Sequence, residues 1–486
     1  MLFHSLAFLI FFPTVVFLYF SAPQRLRWIL LLGASYFFYM SWKPAYALLI
    51  FLTTVVSWGT ALAMDKVKNR RRRKHLLFAT LAVNLGVLFL FKYFNFFSHS
   101  LLPLGRSLNL FTSTPTLKLL LPIGISFYTF QSLSYTVDVY RQNRSPERHL
   151  GIFALYVSFF PQLVAGPIER SERLLPQFRE VHHFDYQQVT DGLKLMAWGF
   201  FKKLVIADRL AVYVNMVYGD PAQFHGLPVI LATYFFAFQI YCDFSAYSDI
   251  AIGAAQVMGF RLMENFRRPY FSASIGEFWR RWHISLTTWF RDYLYIPLGG
   301  NRVGAFRLYF NVMVVFLVSG MWHGANWTFL FWGLLHGTYF LLGRTTASWR
   351  QKLGEAIFRK RFYTLRALLN ILLTFHLVVF AWIFFRARTI REGFMVVGNL
   401  FRFDTVASGW DKFALIKHFN RLDLVVVATA IFIMEVLQFF QERGSIRVWV
   451  SRQHFALRWG LYIGLLFFIE VFGVFYQSSD FIYFKF

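Results

Sequence analysis

The chain has 486 residues, 57% hydrophobic and 21% aromatic but only 15% charged, the balance of a polytopic membrane protein with no hydrophilic stretch long enough for a separate soluble domain. A formal charge of +26 would point to nucleic acid in a soluble chain. Here the bases lie in short loops between apolar runs, where topology and anionic lipid account for them, so nucleic acid is excluded as a partner.

Taken in order, apolar runs fall near residues 6–22, 28–42, 46–64, 76–94, 118–137, 151–165, 193–216, 227–257, 308–320, 325–343, 367–385, 422–441 and 456–475. Several are short or carry polar residues, which predicts an all-α protein with about 10 to 13 membrane-embedded helices, some re-entrant or tilted. The first run lacks a basic leader and a small-residue cleavage site, and reads as a retained first helix. Loop one carries Arg25 and Arg27, loop two only Lys43, and loop three Lys66, Lys68 and the run Arg70 to Lys74. Loops one and three are therefore expected in the cytoplasm and the N-terminus outside it. The chain reads as one membrane domain, 1–486. Polar residues are threaded through apolar helices between about 118 and 343, which marks that range as the expected catalytic core.

Within that range, Leu121 to Gln131 contains Pro122 and Gly124, which open or kink a helix, and Gln131 and Asp138 lie seven apart on one face. Pro161 and Pro167 flank Gly166 and cannot both sit in a regular helix. That segment reads either as a broken, re-entrant element or as an ordinary turn. Asp243 and Asp249 fall in an apolar run, so each carboxylate needs a partner, and the arginines between 261 and 302 are candidates. Structural pairing is the leading reading, with acceptor placement or charge relay as the alternative. Cys242, the lone cysteine, excludes an intramolecular disulfide and a four-cysteine metal site, and no metal is expected.

On a helical wheel from Trp279, the side chains of Trp282, Leu286, Trp289 and Phe290 fall within about 80° of one face. Arg280, Arg281, Thr288, Arg291 and Asp292 take the other, with His283 at the border. That is the pattern of an aromatic-anchored helix at an interface or a polar cavity, whose arginines meet lipid or a pantetheine-linked phosphate. Further on, His323 and His336 sit in a very apolar stretch. In one uninterrupted helix they would be about 20 Å apart along the axis and about 140° around it. Either they have different roles or the helix breaks near Gly324. Trp332 lies one turn before His336, and the pairs Gly320/Gly324 and Gly333/Gly337 allow a neighbouring helix to come close. A histidine here is either a hydrogen-bonded core residue or a general base acting on an alcohol.

The motifs Pro161 to Ile168, Tyr241 to Gly253, Glu277 to Arg302 and Gly320 to Gly337 together resemble the membrane-bound O-acyltransferase superfamily, in its bacterial alginate and polysaccharide O-acetyltransferase branch. The resemblance implies helices around a central funnel or tunnel, in a multi-pass protein of the bacterial inner membrane. It places the catalytic histidine at His336, a second position at His283 and a weaker one at His323. Arg280, Arg281, Asn326 and Trp332 become candidate donor-binding residues. It further implies no tightly bound cofactor, acetyl-CoA or another acyl thioester as donor, and a polysaccharide acceptor, alginate-like before peptidoglycan or another surface glycan. An extracytoplasmic serine hydrolase-like acetyltransferase is the expected partner. A transporter or exporter subunit is the alternative from another class, since it too would use many helices and buried acids.

Overall fold

The computed structural model describes residues 1–110, 113–164, 166–357, 363–403, 419–441, 444–475 and 481–482, and among these there are helices and no strand. Seven described helices are long and apolar enough to cross a membrane: Tyr46–Lys66, Arg70–Ser107, Leu227–Val257, Ala305–His323, Tyr363–Arg386, Arg421–Gln441 and Phe455–Phe472. Other predicted runs form shorter helices, among them Leu6–Ser21, Ile125–Tyr140 and Leu150–Ser158. On Phe455–Phe472, Leu457, Trp459, Ile463 and Phe467 are exposed and only Ile469 is buried. A helix that is apolar all round and uncovered on nearly every side is at home in lipid, which competes for no backbone hydrogen bonds.

Packing divides the described chain into two compact units, Met1–Met196 with Ser248–Met263, and Ala197–Tyr247 with Glu264–Phe486. The 118–343 range draws on both. In the first unit, hydroxyls and an amide hold apolar helices together. The Thr80 hydroxyl donates to Thr60 Oγ1 at 2.6 Å, and Asn84 Nδ2 donates to Ser57 Oγ at 3.2 Å. Such side chains satisfy each other or the preceding helical turn where water is absent.

Gly124, at φ 74°, precedes Ile125–Tyr140, and a Cβ there would lie 2.6 Å from the Leu163 carbonyl oxygen. Both the left-handed backbone and the close approach require glycine. Residues 160–163 form a single turn, after which Gly166 to Glu169 are buried without regular structure. The expected broken element is thus present, and its irregular backbone is covered by protein.

In the second unit, Ala305–His323 and Trp327–Thr345 form a close hairpin. A Cβ on Gly320 would lie 2.2 Å from the Phe329 carbonyl oxygen, and one on Gly333 2.4 Å from that of Phe316. The two helices therefore touch backbone to backbone. Gly333→Val is expected to destabilise by about 3 kcal/mol or more, because neither main chain can yield independently. Gly343→Ala, whose Cβ would meet only Arg350 Nη2 at 3.9 Å, should be neutral or stabilising. Melting temperatures in detergent check both, and equal values for the two variants would contradict the close approach.

Candidate active site

The hairpin turn decides how the two histidines stand. His323 ends one helix, Gly324 is extended, and Asn326 caps the next by accepting from the Thr328 N–H at 3.1 Å. The break near Gly324 removes the separation that a continuous helix would impose. Both imidazoles now pack against Trp332, with centroids at 5.1 Å for His323 and 4.8 Å for His336.

His336 is fully buried in aromatic rings. Trp279 meets it edge-on at 5.0 Å, Phe278 stacks at 6.1 Å, Phe316 stacks at 6.4 Å, and Trp382 lies at 6.3 Å. Among the described residues, neither ring nitrogen of His336 has a hydrogen-bond partner, and neither do the indole nitrogens of Trp279, Trp332 and Trp382. An ordinary buried histidine is satisfied by a neighbour, because an unmet polar group costs about 1–3 kcal/mol. Three indoles with unmet ring nitrogens around one imidazole, unmet itself, therefore mark a place suited to something other than packing.

The stretch expected as one aromatic-faced helix is two. Ile275–Arg281 ends at Trp282, which is extended, and Ile284–Phe290 begins after His283, at φ 44° and ψ 55°. The predicted face is nevertheless buried, with Trp279, Trp282, Leu286, Trp289 and Phe290 all inside. The break comes from a side chain remote in sequence. Asn265 Oδ1 stands 3.1 Å from His283 Nδ1 and accepts from the Ser285 N–H at 3.2 Å and the Ser285 hydroxyl at 2.9 Å. The Asn265 carbonyl accepts from the Ile284 N–H at 2.9 Å. These bonds hold His283 in a backbone region that costs a non-glycine residue about 1 kcal/mol or more. His283 is buried, which pushes its imidazole down to about 3, and its ring lies 5.9 Å from Trp322 beside His323.

Of the candidate donor residues, Trp332 belongs to the His336 cluster. Arg280 is exposed, and Arg281 pairs with Glu277 at 2.6 Å. Asn326 is occupied at both ends of its amide, capping Thr328 and donating to the Arg388 carbonyl at 2.9 Å. A cavity of about 190 Å³ is lined by Trp279, Phe316, Leu286, Phe290 and Phe340, with the exposed Arg291 also on its wall. Trp279 and Phe316 thus face this cavity and also touch His336. Arg291 also pairs with Asp292 at 2.7 Å, so what the space offers is an apolar wall suited to the acyl end of a donor.

Asp243 does pair, but with a lysine and not with the arginines of 261–302. Lys203 Nζ donates to Asp243 Oδ1 and to Asp208 Oδ1, each at 2.8 Å, and the Ile482 N–H donates to Asp243 Oδ2 at 2.7 Å. Lys203 sits on a π-helical turn, Phe201–Ala207, that joins Tyr186–Phe200 to Asp208–Gly219. The wider turn brings Lys203 within reach of Asp208, five residues on. Asp249 is half-buried. Cys242 is buried with Sγ 3.5 Å from Met434 Sδ, a packing role. No group of three or more His, Cys, Asp or Glu that could hold a metal occurs among the described residues. Asn265, Lys203 and Trp382 were not legible as site residues, since each acts through a partner remote in sequence.

Residues 88–387 match the model of the MBOAT, membrane-bound O-acyltransferase, family. The chain is 39% identical to the probable alginate O-acetylase AlgI of Pseudomonas putida, over 92% of this chain and 88% of that protein. It is 35% identical to the peptidoglycan O-acetyltransferase of Helicobacter pylori, over 77% and 73%. With the teichoic acid D-alanyltransferase of Bacillus subtilis it shares 27% identity, over 55% and 69%. A buried imidazole in an aromatic helical core, a matching family model and relatives along nearly the whole length agree that this chain is an acyltransferase enzyme and belongs to the membrane-bound O-acyltransferase family.

Proposed function

We propose that this chain moves an acetyl group from a cytoplasmic thioester, acetyl-CoA or a related donor, toward an extracytoplasmic polysaccharide of the alginate kind, with His336 as general base. The observation that carries the reading is the pair of His336 ring nitrogens with no partner among the described residues, inside a cluster of indoles. His336 takes the proton of the acceptor hydroxyl as the oxygen attacks the thioester carbonyl carbon. The carbon–sulfur bond breaks, and the departing thiolate takes the proton back. The protein's main contribution is to hold donor and acceptor in line in an apolar setting. Trp332 and Trp279 wall the reacting position, and the cavity beside Arg291 accepts the donor. The relatives are named as acyltransferases, which separates this reading from an exporter.

The protein works in the inner membrane with its N-terminus outside the cytoplasm, and an extracytoplasmic serine hydrolase-like acetyltransferase completes delivery to the polymer. The relative that acts on peptidoglycan favours that glycan as the second reading. Mass and linkage analysis of extracellular polymers, from cells with and without the chain, tests both. Loss of ester-linked acetyl from an alginate-like polysaccharide is expected. Loss from peptidoglycan instead moves the assignment there, and unchanged acyl esters in cells that make the protein overturn it.

A further inference from the structure

His283 combines a left-handed backbone with a polar cluster contributed by Asn265 and Ser285. The chemistry of that cluster fixes where the imidazole proton sits. The Asn265 side-chain atom facing His283 also receives the Ser285 backbone N–H at 3.2 Å, and an N–H can only donate. That atom is therefore the amide oxygen and not the amide nitrogen. An oxygen 3.1 Å from Nδ1 requires a proton on Nδ1, so the lone pair lies on Nε2.

We infer that Asn265 is a positioning residue of the transfer reaction, holding His283 as its Nδ1–H tautomer so that Nε2 accepts a hydrogen bond from a proton-bearing substrate group, of which the hydroxyl of a sugar acceptor is the class. The inference rests on the acyl-transfer reading above and adds to it the residue that sets the second histidine. The αL backbone at His283 follows from the same arrangement. Asn265 holds the ring nitrogen on one side of the kink and the Ile284 and Ser285 N–H groups on the other, so the histidine cannot relax into either flanking helix. An aromatic surround of Phe244 at 4.6 Å and Phe266 at 6.3 Å leaves the ring little room to flip. Ser285 alone could not select the tautomer, because its hydroxyl can donate or accept.

The test begins with wild-type enzyme in detergent, labelled with ¹⁵N-histidine, with the His283 ring signals assigned among the 13 histidines by their loss in His283→Gln. A protonated Nδ1 and a bare Nε2 at neutral pH are expected. The opposite tautomer, or an imidazolium, overturns the inference. Acyl transfer is then measured for Asn265→Ala and Asn265→Asp, each normalised to folded protein. The alanine variant should lose about tenfold or more in kcat, with the thioester KM within about twofold, because only orientation is lost. The aspartate, which accepts the same three hydrogen bonds, should recover most of that loss. Unchanged kcat in Asn265→Ala, or equal losses in both variants, overturns the positioning role. An alanine variant that does not fold leaves the decision to the wild-type ring signals. Should the wild-type enzyme itself transfer no acyl group, the acyl-transfer reading fails, an outcome distinct from failure at Asn265 alone.

Discussion

His336→Ala is expected to lower acyl transfer by about 10²–10⁴-fold, the usual worth of a positioned general base. The residue is suited to that loss because its nitrogens do not hold the fold together. No hydrogen bond of His336 to another described residue disappears with the ring, so what is removed is packing against Trp279, Trp332 and Phe278. The resulting hole between indoles costs about 2–4 kcal/mol of stability, which must be kept apart from the kinetic effect. His336→Gln fills more of the space but lacks the imidazole's basicity, and should be as inactive as alanine with a higher melting temperature. Initial rates of acetyl transfer in membrane vesicles, per unit of folded protein, provide the measure. An alanine variant that keeps a tenth or more of the parent rate removes His336 from the chemistry.

Lys203→Met should have the largest effect on folding. It leaves Asp208 and Asp243 buried without their shared cation, and breaking a buried pair in this way costs about 3–5 kcal/mol. Two stranded carboxylates put the expected cost at or above the upper end. Folded yield by size-exclusion chromatography should collapse. Adding Asp208→Asn and Asp243→Asn to Lys203→Met should restore part of it, since the triple variant buries no charge. Parental yield and melting temperature for Lys203→Met alone would show that the cluster carries no stability. Asp243→Asn, which leaves the Lys203–Asp208 bond in place, should be the milder change.

How much of this was legible depends on whether the cause was local. Apolar length points to the membrane helices, of which seven described ones are long enough to span, and Gly324 between two histidines offers the helix break as one of two readings, because both are statements about neighbouring residues. The irregular segment from Gly166 to Glu169 is partly readable for the same reason, since Pro161 and Pro167 cannot both sit in one regular helix, while the choice between a buried element and an ordinary turn needs the fold. The kink at His283 was not readable. The wheel from Trp279 to Phe290 has uninterrupted helical periodicity, and it is broken by Asn265, eighteen residues earlier. Lys203 is not readable either, because a lysine in an apolar run is equally a side chain reaching for the interface. Only the fold places its ammonium beside an aspartate forty residues away.

That same lysine bears on how the protein enters the membrane in the first place. Lys203 and Asp208 lie on one continuous stretch of chain and can neutralise each other before any other helix arrives. Leu227–Val257 has no such provision, and is delivered to the bilayer with Asp243 near its middle. A carboxylate at that depth opposes insertion by about 2.5–3.5 kcal/mol on translocon scales. The earlier stretch therefore has to be waiting when the later helix emerges, so that the order of synthesis along the chain is also an order of assembly. A ribosome stalled between the two segments would leave a stable, neutral intermediate, whereas a chain lacking residues before 208 would present its longest helix to the translocon with no counter-ion to receive it.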